Sequence, residues 1–116
     1  MAKNTGDGSI VLSALEEDLL TLIQHHADGM YGLEVLNRLN EANQQLKRRK
    51  IGIGSLYPAL KRMEQQGLLL GKWGDEGSTS GGARRRYYCV TGLGHQALTD
   101  TWRYRQAIGA PLVFTT

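Results

Sequence analysis

The chain contains a single cysteine, Cys89, so an internal disulfide is excluded and a reducing compartment is expected. No apolar run approaches the roughly 18 residues that a membrane-spanning helix needs. Residues 1–9 are polar and glycine-rich, and they lack the apolar centre of a secretory signal. These absences predict a cytoplasmic protein, and the length of 116 residues predicts a single domain.

The sequence also lacks the motifs that enzymes commonly carry. It shows no serine–histidine–acid pattern and no paired carboxylates of the kind that acid–base catalysis uses. His25, His26 and His95 have no suitably spaced cysteine or carboxylate partners for a metal site. The glycine-rich segment 74–82 does not end in the Lys-Ser/Thr pair of a phosphate-binding loop. We therefore predict no enzymatic activity, no cofactor and no metal.

What the chain does have is an uneven distribution of charge. Residues 46–86 hold ten Lys or Arg and three acids, a net charge of +7, whereas the rest of the chain has a net charge of −4. The overall charge of +3 therefore conceals a strongly polar molecule. A basic segment of this kind indicates a polyanionic partner.

A short helix, predicted over residues 54–66, lies at the centre of this basic segment. Ser55 is expected to be its N-cap, because a serine hydroxyl accepts a hydrogen bond from a first-turn N–H. Pro58 then falls in the first turn, and Gly67 fits the C′ position, where a positive φ is usual. The apolar residues recur on one face at helical spacing: Leu56, Ala59, Leu60 and Met63.

Two further helices are predicted before this one. Ser13 and Glu16 have the spacing of a capping box, and the leucines that follow recur on one helical face. This first helix is expected to end near His26. A second apolar stripe begins at residues 31–32 and predicts a helix to about Ala42.

The rest of the pattern is that of short strands. The basic connector 44–51 predicts a short edge strand that ends at residue 51. Strands are predicted at 68–73 and 83–91, where residues of high β preference occur. Between them, segment 74–82 is rich in glycine and serine and reads as a flexible loop. The two strands therefore form a β-hairpin.

Thr91 is expected to cap a last helix that Pro111 ends. The predicted fold is mainly α with a small β-hairpin wing (α+β), a winged helix-turn-helix with an additional C-terminal helix. The chain then divides into a mobile N-terminal tail, a winged-helix DNA-binding domain, a C-terminal dimerisation helix and a tail, at residues 1–9, 10–92, 93–110 and 111–116.

Short motifs spread over residues 12–108 support this fold. They are Tyr31-Gly32, Gly54-Ser55-Leu56-Tyr57-Pro58-Ala59-Leu60, Glu64, Gly67-Leu68, Arg86-Tyr87-Tyr88, and Thr91 followed by Gly94. Together they resemble the PadR-type transcriptional regulators. The resemblance implies a dimeric repressor whose third helix enters the major groove and whose C-terminal part builds the dimer. That part is one helix here rather than a bundle. Among short members of the family, the cyanobacterial period-extender (Pex) clock proteins are a candidate branch.

The basic residues and the start of the third helix are the predicted DNA contacts. Lys61 and Arg62 are expected at base edges or phosphates, since arginine matches guanine O6 and N7. Ser55 and Tyr57 either hydrogen-bond phosphates at the helix N-terminus or only cap and pack. The remaining basic side chains are expected at the phosphate backbone, with strand alternation separating Arg85 from its two neighbours: Lys47, Arg48, Arg49, Lys50, Lys72, Arg84, Arg85 and Arg86.

The predicted partners are double-stranded DNA and a second copy of the chain. Leu98, Trp102 and Ile108 are predicted to form the dimer seam, and a pocket for a small molecule at Trp102 is the weaker alternative. Cys89 is expected to be a buried structural thiol rather than a redox switch. The competing functions are a winged-helix adaptor that binds protein and a ligand- or redox-gated sensor.

Overall fold

Four helices and a three-stranded antiparallel sheet make up the part of the chain that the computed structural model describes, residues 9–74 and 84–109. In chain order the elements are α1 (Ala14–Ile23), β1 (Met30–Tyr31), α2 (Gly32–Gln45), α3 (Ile53–Gln65), β2 (Leu69–Trp73), β3 (Arg86–Val90) and α4 (Gly92–Gly109). This is the predicted α+β winged-helix architecture. Three predicted features lie largely or wholly outside the described residues: the N-terminal tail at 1–9, the loop at 74–82, and Pro111 with the C-terminal tail.

Helix α1 begins as its sequence predicts. The Ser13 hydroxyl accepts the N–H of Glu16 at 3.2 Å, and the Glu16 carboxylate accepts the N–H of Ser13 at 2.9 Å, which completes the capping box. The helix ends at Ile23 rather than near His26. The chain there tightens into turns with bonds between residues three apart, so that it can lead into the sheet.

The third strand of the sheet is β1, which pairs with β3 through Met30↔Tyr88 and Tyr31↔Tyr87, giving the order β1-β3-β2. The edge strand predicted at 44–51 is therefore wrong. Helix α2 continues to Gln45, and Ile51 pairs with a side chain instead of a strand. The Asn40 amide accepts the Ile51 N–H at 2.9 Å and donates to the Ile51 carbonyl at 2.8 Å.

Helix α3 begins earlier than predicted, at Ile53 with Gly52 as its N-cap. Ser55 is consequently inside the first turn and does not cap the helix. Pro58 lies in the second turn, where its missing N–H leaves the exposed carbonyl of Gly54 without the usual helical partner. The predicted apolar face is confirmed, since Leu56, Ala59, Leu60 and Met63 are all buried.

Helices α2 and α3 end in the same way, in a Schellman motif. At the end of α3 the Leu68 N–H bonds the Met63 carbonyl at 2.9 Å, and Gly67 has φ +80° as predicted for C′. At the end of α2 the Arg48 N–H bonds the Asn43 carbonyl at 2.7 Å, and the C′ position is Lys47 with φ +56°. A lysine therefore occupies a left-handed conformation that favours glycine.

Thr91 joins the end of α3 to the start of α4. Its hydroxyl donates to the Gly67 carbonyl at 2.6 Å and accepts the Gly94 N–H at 3.0 Å, so the predicted cap is confirmed. The hairpin before it pairs β2 with β3 from Leu69↔Val90 to Trp73↔Arg86. Strand β3 thus begins three residues later than predicted.

Helix α4 contributes only a narrow strip to the core. Ala97 and Thr101 are fully buried, and the Thr101 hydroxyl accepts the Leu12 N–H at 2.9 Å and donates to the Ile10 carbonyl at 3.4 Å. The segment before α1 is thereby fixed to α4. The core itself is made mainly by α1, α3 and the sheet.

The two C′ positions generate a stability prediction. Replacing Lys47 with Gly removes left-handed strain and should raise the free energy of unfolding by about 1 kcal/mol, as measured by urea denaturation. Gly67→Ala should lower it by about 1 kcal/mol or more through φ alone, since the new Cβ would meet nothing closer than Leu93 at 3.7 Å. As a control, Lys61→Gly inside α3 should cost about 1 kcal/mol. A destabilised Lys47→Gly variant would contradict this reading of the α2 end.

Candidate nucleic-acid interface

Tyr57 of α3, the start of α2 with Tyr31, and the base of the β2–β3 hairpin enclose an open recess of about 660 Å³. We call it the wing recess; its walls include Tyr31, Gly32, Tyr57, Trp73 and the arginines 84–86. It has no acidic side chain among its lining residues. The recess therefore brings the predicted wing arginines next to the predicted recognition helix.

Tyr57 reaches the recess because Gly32 has no side chain. A Cβ at Gly32 would lie 2.5 Å from the Tyr57 hydroxyl and 2.6 Å from its Cε1. Tyr57 thus packs on the start of α2 and keeps part of its ring exposed, and its contact with phosphate stays a prediction. Ser55 and Lys61 are exposed on the same helix.

Each of the three consecutive arginines lies over an aromatic ring. The guanidinium carbons of Arg84 and Arg86 are 5.5 and 4.9 Å from the centre of the Trp73 ring. That of Arg85 is 4.4 Å from the centre of the Tyr31 ring. This agrees with the alternation that separates Arg85 from its neighbours. Cation–π contacts of this kind hold long side chains that would otherwise move freely.

Arg86 also forms an ion pair with Glu64 of α3, through both its Nη2 and its Nε atoms. The Tyr88 ring lies beside the same pair. Burial raises the pKa of Tyr88, and the negative charge of Glu64 raises it further. In the sequence, Glu64 is recognisable only as part of a motif, and its pairing with Arg86 was not predicted.

Arg62 is engaged by α1. Its Nε atom donates to the Glu16 carboxylate at 3.2 Å, so this carboxylate serves both the capping box and the ion pair. Burial tends to raise the pKa of Glu16, but hydrogen bonds from the Ser13 backbone and from Arg62 outweigh burial, and the net pKa is lowered. The Arg62 side chain is still 41% exposed, and its base contact stays a prediction.

The remaining basic residues occupy two other places. Lys47, Arg48, Arg49 and Lys50 are exposed in the connection between α2 and α3. Lys72 pairs in register with Tyr87 and is exposed on the sheet face opposite Trp73. The structure therefore joins Arg84–Arg86 to α3 through the recess, and Lys72 lies outside the recess lining.

The predicted dimer residues share α4 but differ in exposure. Trp102 and Ile108 are 60% and 59% exposed, whereas Leu98 is half-buried and packs against the core. Leu98 and Trp102 line a shallow groove between α4 and α1, together with Thr21.

Cys89 is half-buried rather than buried. It lies against the turn before β1, where its Sγ lies 3.9 Å from the Ala27 carbonyl and a Cβ at Gly29 would lie 3.1 Å from the same sulfur.

Two negative findings apply to residues 9–74 and 84–109. Among them, no group of three or more His, Cys, Asp or Glu side chains is placed to hold a metal ion. No helix in these ranges is both long and apolar enough to cross a membrane.

A helix-turn-helix unit followed by a β-hairpin with arginines at its base defines a winged-helix protein. Residues 19–100 match the transcriptional regulator PadR-like family, and the chain belongs to that family. Members are DNA-binding transcriptional regulators and not enzymes, which confirms the resemblance and the expected absence of catalysis. No curated protein matches the chain.

Solved structures of the family share the fold. A PadR-like regulator from Bacillus cereus strain ATCC 14579 is 26% identical over 84% of this chain and 86% of its own, with a TM-score of 0.63. A PadR family regulator from Clostridium difficile R20291 is 26% identical over 84% of this chain and 98% of its own, with a TM-score of 0.54. A PadR-like transcription factor from Bacteroides fragilis reaches a TM-score of 0.70 at 24% identity over 84% and 85%.

The double role of Glu16 predicts a pH dependence of stability. Because the folded state lowers the pKa of Glu16 below its ordinary value of 4.5, its contribution is present above that pH and is lost as the pH falls through the folded-state pKa. Glu16→Gln should therefore cost about 1 kcal/mol of unfolding free energy at neutral pH, and the gap to wild type should close in acid. Urea denaturation between pH 7 and 3 measures this.

The matched control is Glu41→Gln, which removes an equal charge from an exposed pair with Arg38 at 3.9 Å. Exposed pairs contribute little, so its effect should stay below about 0.5 kcal/mol. A Glu16→Gln variant whose deficit persisted unchanged at low pH would show that shape rather than charge is responsible.

Proposed function

We propose that this protein is a homodimeric, sequence-specific DNA-binding transcriptional repressor. Helix α3 enters the major groove, and the base of the hairpin contacts the adjoining phosphate backbone or minor groove. The observation that carries the proposal is the wing recess, where three arginines and Tyr57 of α3 line the same space. Such a surface suits a strand of negatively charged phosphates better than a protein partner.

The residues have different roles in this proposal. Lys61, Ser55 and Tyr57 are exposed on α3 and reach the major groove, where they contact bases or phosphates. Arg62 is supported by Glu16, which directs the guanidinium while it reads a base edge. Arg84 and Arg85 contact the backbone beside the hairpin, and the exposed run 47–50 contacts it just before the start of α3.

Dimerisation is proposed through exposed apolar residues of α4. They include Trp102 and Ile108, and the helix lies outside the +7 segment, so two copies can meet there without bringing their basic surfaces together. The groove between α4 and α1, which Trp102 lines, extends this surface. A two-fold dimer then reads two half-sites about 34 Å apart, which one recognition helix alone cannot do.

Repression follows from the resemblance to dimeric PadR-type repressors. The same resemblance supports a place in the cyanobacterial period-extender branch and thus a role in repressing a clock gene. The test of this finer proposal is to recover genomic fragments bound by the protein and to assay transcription from them with and without it.

Salt dependence tests the DNA interface. The logarithm of the binding constant should fall with the logarithm of salt concentration at a slope of at least about −5 for the dimer, because each neutralised phosphate contributes about −0.9. Arg85→Ala should reduce the steepness by about 0.9 per subunit and weaken binding to all sequences alike. Fluorescence anisotropy with labelled duplexes measures both quantities.

Arg103→Ala is the control, since it removes an equal charge from exposed α4. It should leave the slope unchanged. A wild-type protein with a flat salt response, or equal effects of both variants, would refute an interface at the wing recess.

Sedimentation tests the dimer. The wild type should be a dimer at tens of micromolar, and Trp102→Ala should be largely monomeric, because buried aromatic side chains dominate interface energetics. Its circular dichroism spectrum should match the wild type, since Trp102 is largely exposed within one chain. Leu46→Ala, which trims an exposed leucine at the end of α2, should remain dimeric. A monomeric wild type would refute the proposed dimer. A Trp102→Ala variant that stays dimeric would place the dimer interface elsewhere.

A further inference from the structure

Glu64 is an acidic residue in a basic region. Among the described residues between 46 and 86 it is the only acid, and it lies on the helix that we propose for the major groove. A negative charge so close to DNA weakens binding by simple electrostatics. We therefore expect Glu64 to have a structural role at this position.

The Glu64 carboxylate is directed toward the hairpin and accepts hydrogen bonds from Arg86. The two side chains are 29% and 28% exposed, so the pair is largely withdrawn from solvent. Screening by water is correspondingly weaker than for a surface pair, and the geometry of the guanidinium is fixed by two contacts on one carboxylate.

The ion pair depends on a glycine in β2. A Cβ at Gly71 would lie 2.7 Å from the Glu64 Oε2 atom and 2.8 Å from both the Nε and Nη2 atoms of Arg86. A Cβ at this position would therefore require the ends of both side chains to shift. Gly71 thus leaves the space through which α3 contacts β3 across β2.

From Arg86 the contacts continue outward to the base of the wing. The Arg86 guanidinium lies over the Trp73 ring, and Trp73 on β2 is also the residue that pairs with Arg86 on β3. The same ring carries the Arg84 guanidinium. Contacts therefore run without a break from Glu64 to Arg86, Trp73 and Arg84. They connect the recognition helix to the described base of the hairpin.

We propose that Glu64 is a positioning residue for DNA binding, which fixes Arg86 and, through Trp73, orders Arg84 at the phosphate backbone. The proposal rests on the DNA-binding function proposed above. Side chains that are ordered before binding lose less conformational freedom when DNA arrives. Glu64 consequently raises DNA affinity in spite of its negative charge, which is the opposite of what its charge alone would do.

The sign of the Glu64→Gln effect decides between these two descriptions. If Glu64 positions the wing, the variant should bind DNA at least about five-fold more weakly, the fold-change that corresponds to ordering one or two long side chains. If Glu64 merely occupies Arg86, the variant should bind more tightly, and the salt slope should steepen by about 0.9 per subunit as Arg86 finds a phosphate. The second result would overturn the proposal.

Glu41→Gln provides the matched control, because it removes the same charge from an exposed site on α2. Its affinity should be equal to that of the wild type or slightly higher. Gly71→Ala tests the same contacts without any change of charge, and it should weaken binding in the same direction as Glu64→Gln. A Gly71→Ala variant with wild-type affinity would also overturn the proposal.

Double variants distinguish positioning from a general loss of structure. Trp73→Leu should weaken binding in the wild type but add little in the Glu64→Gln background, because both changes interrupt one series of contacts. Trp73→Phe, which keeps an aromatic ring at this position, should bind DNA more tightly than Trp73→Leu. Arg85→Ala should add its full effect in either background, since Arg85 lies over Tyr31 instead.

All titrations are made where melting curves show each variant folded. If Glu64→Gln does not fold, the Gly71 and Trp73 variants decide the point. A wild type that does not bind DNA refutes the proposed function, whereas a wild type that binds and an equally tight Glu64→Gln variant refute only the role of Glu64.

Discussion

The burial of one side of α3 determines where every other functional group of this protein lies. Leu56, Leu60 and Met63 are fully buried, and this fixes the rotation of the helix about its axis. Its opposite side, with Ser55 and Lys61, must then face solvent. Polar contacts hold both ends of the helix. Before its start, the Asn40 amide bonds the backbone of Ile51, and after its end, the Thr91 hydroxyl donates to the Gly67 carbonyl.

Around this helix the structure restrains arginines that are long and flexible in isolation. Arg84 and Arg86 lie over Trp73 and Arg85 lies over Tyr31. Arg86 is also paired with a carboxylate from another element, as is Arg62. A basic surface made in this way has a defined shape as well as a charge. Charge brings a polyanion to the surface from a distance, whereas shape determines which approach allows all contacts to form together.

Helix α4 separates stability from assembly on its two sides. Its inner side is small, with Ala97 and with Thr101 bonded to the segment before α1, so little apolar area is committed to the domain. Trp102 lies on a different side of the helix and Ile108 lies two turns beyond Thr101, and both remain exposed. Helix α4 thus closes the domain and also presents the surface that we propose for the second copy.

The sequence by itself determined the features that depend on neighbouring residues. The Ser13–Glu16 capping box, the apolar stripe of α3, the left-handed turn at Gly67, the Thr91 cap and the basic wing were all predicted, because local spacing specifies helix faces and ends. The N-cap of α3 was predicted wrongly: it is Gly52 rather than Ser55, since glycine also serves there.

Only the tertiary structure decided which distant residues meet. Strand β1, the Asn40 bonds to Ile51, the Arg62–Glu16 pair and the Glu64–Arg86 pair across Gly71 join residues 11 to 58 positions apart. No spacing rule relates such residues, because their contact depends on how helices and strands pack once the core has formed. Charge could be counted along the chain, but its partners were chosen by the fold.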